Sequence, residues 1–291
     1  MPRKSLGRSD RIMVKLLPDE FNVLSKYIYS ISGICLDESK TYLVETRLQR
    51  LLSRYDIATF SELYYEALSD MTKSLQNKII DAITTGETMF FRDAAMFELL
   101  QHKILPDLID LKNRKGRGCM PVPIRIWSAA SSTGQEVYSI AMVLKELIPD
   151  LSLYNIKIIG TDISDEAVAR ASYGQYNQFE IDRGLTKDKQ TRYFARDSNS
   201  WKITDEVRSM ATFKKLNLFD DFAGMGTFDI VLCRNVAIYF TEQDKVRLFR
   251  RIGGVLESDG YLIIGSTESL TGICPQFKPM RYLRSVFYQL K

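Results

Sequence analysis

The chain has 291 residues, 45% of them hydrophobic and 26% charged, enough apolar content for one large core or two modest ones. Forty basic residues against 36 acidic ones leave a net charge of +4, too mild and too dispersed to call for a nucleic-acid partner. No apolar run nears the ~18 residues of a membrane span, and the opening MPRKSLGRSDRIMVK has no apolar stretch behind its basic residues, so neither membrane insertion nor a secretory signal is expected. Cys35, Cys119, Cys233 and Cys274 lack C-x-x-C spacing, which argues against zinc and for a reduced, cytoplasmic protein. The single histidine, His102, lies in the amphipathic pattern AMFELLQHKILPDL and is expected at a surface or boundary, so imidazole chemistry is not expected.

Residues 18 to about 75 predict helices throughout. PDEFNVLSKYIYSISG, ESKTYLVETRLQRLLSRY and TFSELYYEALS each repeat apolar residues at three- and four-residue spacing, with starts near Pro18, Asp37 and Thr59. Residues 1–75 therefore read as a helical N-terminal domain and 76–90 as a linker. Arg47, Arg50 and Arg54 share one face of the second helix at i, i+3 and i+7. That face is either a solvated surface or a docking site for an acidic partner. Lys112, Arg114, Lys115 and Arg117 crowd a segment expected to be a solvated loop.

After Pro121 strands alternate with helices: IRIWSA, a helix, IKIIGTD, a helix at 165–172, TFKKLNLF, TFDIVLC, a helix at 242–257, and YLIIGST. This predicts an α/β domain over 91–291 with a mostly parallel sheet covered on both faces. The late strands YLIIG and SVFYQL leave room for an antiparallel edge pair. Residues 173–205 break the alternation: a helical piece near 186–193 and a polar turn from Asp197 to Ser200 predict a small helix-hairpin insertion.

Within that domain, IRIWSAASSTGQE (124–136) followed by IIGTDIS (158–164) has the form of a nucleotide-cofactor half-site. A strand enters a turn of Ala, Ser, Thr and Gly, a helix follows, and the next strand ends on Asp162, an acid suited to ribose hydroxyls. The turn carries only Gly134, so it is no G-x-G-x-x-G pyrophosphate cradle, and no Walker lysine is present. A looser turn of small residues fits S-adenosylmethionine, which has a ribose and no phosphates. The alternative is an ordinary strand-turn-helix in which Asp162 or Ser164 caps the next helix.

Four segments in order, TTGETMFFRD (84–93), WSAASSTGQEVYSIA (127–141), GTDIS (160–164) and CRNVAIYF (233–240), closely resemble the chemotaxis-receptor glutamate O-methyltransferases, the CheR family. The resemblance covers nearly the whole chain. It implies a small helical domain joined to a Rossmann-like, S-adenosylmethionine-dependent methyltransferase domain with an antiparallel hairpin insertion. On matching positions it implies that Thr88 and Arg92 touch the cofactor, Arg92 through the cofactor carboxylate. Glu136 would face the cationic methionyl portion, Asp162 the ribose, and Asn217 and Leu218 the adenine. Arg234 and Asn235 would line the site beside the methyl group, with Tyr239 orienting the incoming carboxylate. Where this chain has Gly86 the family often has Asn, so a side-chain contact to the cofactor is lost there or replaced by water.

The resemblance further implies methylation of glutamates on bacterial chemoreceptors, with Arg47, Arg50 and Arg54 meeting an acidic receptor surface. A glutamate of pKa about 4.3 is already an anion near neutrality, so no general base is needed. The insertion loop Ala195 to Ser200 is shorter than in family members that tether to a receptor's C-terminal pentapeptide and lacks glycine, which predicts independence of that peptide. A monomer without nucleic-acid or membrane partners is expected. Two other readings stay open: a methyltransferase acting on RNA or another protein, and a signalling adaptor that binds S-adenosylmethionine without turnover. The missing Pro-Pro after Asn235 weighs against amino methylation.

Overall fold

The computed structural model describes residues 14–115, 121–222 and 224–291, which divide into two compact units meeting between Thr85 and Gly86. Cys119, Arg117 and the N-terminal stretch to residue 13 lie outside the described residues, as does the side chain of Lys115.

The first unit is helical: α1 (Pro18–Ser32), α2 (Thr41–Tyr55), α3 (Phe60–Ser69) and α4 (Ser74–Ile83). Local signals set the starts. Pro18 opens α1, Asp37 accepts the Ser39 N–H to start a single 3-10 turn before α2, and Thr59 Oγ1 accepts the Glu62 N–H at the head of α3. Leu24, Val44, Leu48, Phe60, Leu63 and Ile79 are wholly buried at the centre. The stretch expected to be a linker from residue 76 is instead mostly α4. Its Leu75, Ile79 and Ile83 recur every four residues and bury one stripe in this core.

The second unit begins with α5 (Ala94–Leu99), a π turn (Leu100–Ile104) bearing exposed His102, and α6 (Leu105–Lys115). Lys112 and Arg114 lie on this helix rather than in a loop. Lys112 Nζ reaches Asp229 Oδ1 at 2.6 Å, because the helix runs on past the point where its apolar pattern fades.

Then follow β1 (Val122–Ala129), α7 (Gln135–Leu147), β2 (Tyr154–Asp162) and α8 (Asp165–Tyr173). The insertion holds β3 (Gln175–Tyr176), α9 (Gln178–Asp182), α10 (Lys187–Tyr193), β4 (Phe194–Asp197), β5 (Ser200–Ile203) and α11 (Asp205–Arg208). The domain closes with β6 (Ala211–Lys215), β7 (Phe228–Cys233), α12 (Glu242–Gly254), β8 (Leu256–Ile264), β9 (Phe277–Tyr282) and β10 (Ser285–Leu290).

The main sheet has the order β6-β2-β1-β7-β8-β10-β9, the first five strands parallel and the last two joined antiparallel. SVFYQL does pair antiparallel with YLIIG, but neither is the edge. That place goes to β9, FKPMRY, whose alternation is blurred by Lys278, Pro279 and Arg281, residues common on exposed edges.

Alternate residues of the central strands feed two cores. Ile124, Ile126, Ile230 and Leu232 face one layer with α7, whereas Trp127, Ala129, Val231 and Cys233 face the other with α12. The insertion is a three-stranded antiparallel sheet, β3-β5-β4, larger than the hairpin expected, since the two-residue strand β3 carries no pattern legible alone. Its tip is tight: Asp197 pairs with Ser200 across Ser198 and Asn199, with Ser198 at φ 52°.

Candidate active site

The chain passes from β1 to β2 on one side of the sheet and reaches β7 on the other, so a crevice opens where the C-terminal ends of these strands diverge. Ala129 at the end of β1 pairs with Thr161 and with Cys233. From the quoted segment 84–93 the part from Gly86 onward meets the β1–α7 turn, the tip of β2 and the tip of β7 here.

The backbone at these tips is unusual. Phe91, Asp93, Ala130, Ser132 and Asn235 all have φ between 49° and 71°. A left-handed conformation costs a non-glycine residue roughly 1–2 kcal/mol. Three of the five are held by the same device, a side-chain acceptor on the strained residue's own N–H. Ser132 N–H donates to Asp162 Oδ2 at 2.8 Å, Asn235 N–H to Glu268 Oε2 at 2.8 Å, and Phe91 N–H to Ser139 Oγ at 3.0 Å. One such bond contributes about 1 kcal/mol, more to a carboxylate, so each roughly offsets the strain it maintains. Gly134 opens α7 at φ 94°, where a Cβ would lie 3.0 Å from Ala171 Cβ and 3.1 Å from Phe213 Cζ, so helix and strand pack closely only with glycine.

Charge is concentrated in the same place. Arg234 is 7% exposed, and its guanidinium donates to Glu136 Oε2 at 2.7 Å, Asp93 Oδ2 at 3.2 Å and Arg92 O at 3.4 Å. Glu136, in the first turn of α7, takes Ser128 Oγ–H on its other oxygen at 2.8 Å. Both Glu136 oxygens therefore have protein partners, and its expected place facing a cation is shared with Arg234. Burial, then Glu268 and Glu136, push the Cys233 thiol well above its ordinary value, and its side chain is wholly buried in the sheet.

The other expected residues divide clearly. Asp162 holds the Ser132 and Ser164 N–H groups with its two oxygens, the second at 3.0 Å. Arg92 is half-buried and donates one N–H to Glu87 O at 2.8 Å, and Thr88, four residues earlier, is half-buried as well. The exposed Gly86 gives its carbonyl to Ser132 Oγ at 3.1 Å. Asn217 Oδ1 accepts the Phe219 N–H at 3.0 Å to close a turn, and Leu218 is buried in the core that contains Trp127 and Phe222. Tyr239 is half-buried on a 3-10 turn (Ala237–Tyr239), whereas Phe240 is a core residue stacked edge-on with Phe219 at 5.0 Å.

Arg47, Arg50 and Arg54 belong to the first unit and do not act as a trio. Arg50 and Arg54 are exposed, but Arg47 donates to Ile83 O and, at 3.1 Å, to Thr85 Oγ1, satisfying the end of α4. Sequence reasoning missed Asp93, Ser132, Ser139 and Glu268. Asp93 stood inside the quoted motif, while Glu268 had no signal beyond an acid three residues after Gly265.

The donor set fits a cation that carries its own carboxylate. Asp93 and Glu136 pair with the buried Arg234, while Asp162 and Glu268 hold backbone N–H groups at the neighbouring strand ends. Acids therefore outnumber the one buried guanidinium, a balance suited to a sulfonium and an ammonium. Arg92, whose carbonyl accepts from Arg234, carries a guanidinium suited to a carboxylate.

The comparisons agree with this chemistry. Residues 86–285 match the model described as "CheR methyltransferase, SAM binding domain", and residues 19–84 match "CheR methyltransferase, all-alpha domain". The chain is 36% identical over 282 residues to a chemotaxis protein methyltransferase of Vibrio parahaemolyticus, covering 96% of this chain and 99% of that one. It is 34% identical over 277 residues to chemotaxis protein methyltransferase 1 of Pseudomonas aeruginosa, covering 94% and 98%, and 36% identical over 264 residues to that of Borreliella burgdorferi, covering 89% and 91%. Two domain matches spanning nearly the whole chain, over a site whose charges suit the methyl donor, make this protein a member of the CheR methyltransferase family, with S-adenosylmethionine as its cofactor.

Proposed function

We propose that this protein transfers the methyl group of S-adenosylmethionine to glutamate side-chain carboxylates on the cytoplasmic part of bacterial chemoreceptors, forming methyl esters. The observation that carries the reading is the Glu136–Arg234–Asp93 cluster set against Asp162 at the ends of β1, β2 and β7. The cofactor supplies an electrophilic methyl group on a positively charged sulfur.

The chain's residues do the rest. Arg92 holds the cofactor carboxylate, with Thr88 beside it, and Glu136 shares its charge between Arg234 and the ammonium. Asp162, its oxygens already fixed by two backbone N–H groups, accepts from the ribose hydroxyls. Asn217 and the Leu218 backbone border the adenine, and Gly86 leaves room that Ser132 partly fills. Arg234 and Asn235 flank the methyl group, and Tyr239 orients the substrate. A substrate glutamate arrives already ionised, so the site needs alignment and exclusion of water rather than a base.

Exposed Arg50 and Arg54 dock the acidic receptor surface, while Arg47 serves its own helix end. The two-residue tip between Asp197 and Ser200 keeps the edge strand β4 to four residues, a short edge for a peptide to extend, which supports action without a receptor C-terminal pentapeptide. On this reading the enzyme works in the cytoplasm as a monomer.

The test is transfer of labelled methyl from S-adenosylmethionine to a chemoreceptor cytoplasmic fragment, with and without its last five residues, scored as base-labile methanol. Equal labelling of both fragments is expected. Labelling only with the tail would discard the pentapeptide-independent part, and none on either would discard the receptor as substrate.

A further inference from the structure

Glu268 lies outside the motifs that mark the family resemblance, yet it joins two strand ends. Its Oε2 accepts the Asn235 N–H at 2.8 Å and the Gly265 N–H at 2.7 Å. Asn235 follows β7 and Gly265 follows β8, whose last residues Cys233 and Ile264 pair with each other. One carboxylate oxygen thus ties the exits of adjacent parallel strands.

Three details make this more than a loop staple. Asn235 is left-handed at φ 57°, a conformation that a non-glycine residue abandons unless held. Room for the carboxylate exists only because residue 265 is glycine: a Cβ there would stand 2.4 Å from Glu268 Oε2, 2.9 Å from Asn235 Nδ2 and 3.1 Å from Asn235 N. Glu268 is half-buried and its Oε1 is buried without a hydrogen-bond partner among the described residues, so the carboxylate is held by its Oε2 contacts alone. Arg234, one residue earlier, is anchored toward α7 and Asp93. The dipeptide Arg234–Asn235 is therefore gripped from two directions, by its first side chain and by its second backbone N–H.

We propose that Glu268 is a positioning residue of the methyl-transfer site, fixing Asn235 in its left-handed conformation and thereby setting where the Asn235 amide stands beside Arg234. The inference rests on the reading above that Asn235 lines the site. Removing the acceptor frees Asn235 to relax to an ordinary backbone conformation, which displaces its side chain and the start of the 3-10 turn carrying Tyr239. Substitution by glutamine keeps an acceptor oxygen of the same reach.

The experiment uses the full chain with three readouts: amide hydrogen exchange at Asn235 and Gly265, S-adenosylhomocysteine affinity, and kcat and KM on the receptor fragment. Glu268→Leu is expected to expose both amides and lower kcat about 30-fold with little change in receptor KM, while Glu268→Gln stays within about fivefold of the parent. Glycine is left-handed without steric cost, so adding Glu268→Leu to Asn235→Gly should reduce kcat by less than about threefold further. A full 30-fold loss on that background, or failure of Glu268→Gln to rescue kcat while it keeps the amides protected, overturns the positioning role. An Asn235→Gly enzyme with parental affinity and kcat instead removes Asn235 from the site, and the proposal falls with that assignment.

Discussion

The helical unit and the sheet unit both contain left-handed non-glycine residues, but they use them differently. In the first, Asp56 ends α2 and Lys73 precedes α4, so the conformation turns the chain at a helix boundary. In the second, Ser198 and Leu283 turn hairpins in the same local way, whereas Phe91, Asp93, Ala130, Ser132 and Asn235 crowd the ends of β1 and β7 and the segment before α5. For three of the five the conformation is maintained from a distance: Asp162 lies 30 residues from Ser132, Glu268 33 residues from Asn235, and Ser139 48 residues from Phe91. Strain at a helix end follows from local chain geometry. Strain held by remote side chains requires the fold to be complete, and it fixes the backbone of the candidate site before any ligand arrives.

The sharpest way to break this contrast is at Arg234. Its side chain is 3% exposed and its partners Glu136 and Asp93 are 16% and 25% exposed, so Arg234→Met leaves two partly buried carboxylates without their cation. A loss of about 3–5 kcal/mol in denaturant unfolding is expected. A loss below about 1 kcal/mol would show that the cluster is not held by charge.

A smaller effect on stability and a larger one on binding is expected at Asp162. Asp162→Ala removes the hold on Ser132 and an acceptor for the ribose, and should weaken S-adenosylhomocysteine binding about 100-fold by calorimetry, equivalent to about 2.7 kcal/mol. If affinity is retained while the melting temperature falls, Asp162 is a turn residue only, the capping alternative its position before Ser164 always allowed.

The smallest effects separate the arginines of α2. Arg47→Ala should cost about 1 kcal/mol of stability, because the end of α4 loses its cationic donor. Arg50→Ala and Arg54→Ala should change stability by less than about 0.5 kcal/mol, as exposed positions do, and act on receptor KM instead. Equal behaviour of all three would restore the continuous docking face expected from spacing alone.

What was legible in the sequence follows from the range of the interactions. Helix starts at Pro18, Asp37 and Thr59 are written in residues three or four positions apart, and those local signals coincide with the caps observed. The small-residue turn with Gly134 and the acid ending β2 could be placed because strand, turn and helix are consecutive. The edge strand β9 and the short β3 could not, since their apolar pattern is interrupted or only two residues long. Arg47 shows the limit of helical periodicity: spacing puts it on a face with Arg50 and Arg54, but only the arrival of α4 decides that its guanidinium is used at home.

The sequence by itself determined the two domain types, the half-site of small residues and terminal acid, the cofactor class and the family, because each rests on consecutive residues or on motifs kept in order. Tertiary structure decided which charges meet. Glu136 finds Arg234 across 98 residues and Asn235 finds Glu268 across 33, and neither partner is marked by any periodicity. Pairings of this kind are set by which strands become neighbours in the sheet, and a linear pattern carries no record of that until β1, β7 and β8 lie side by side.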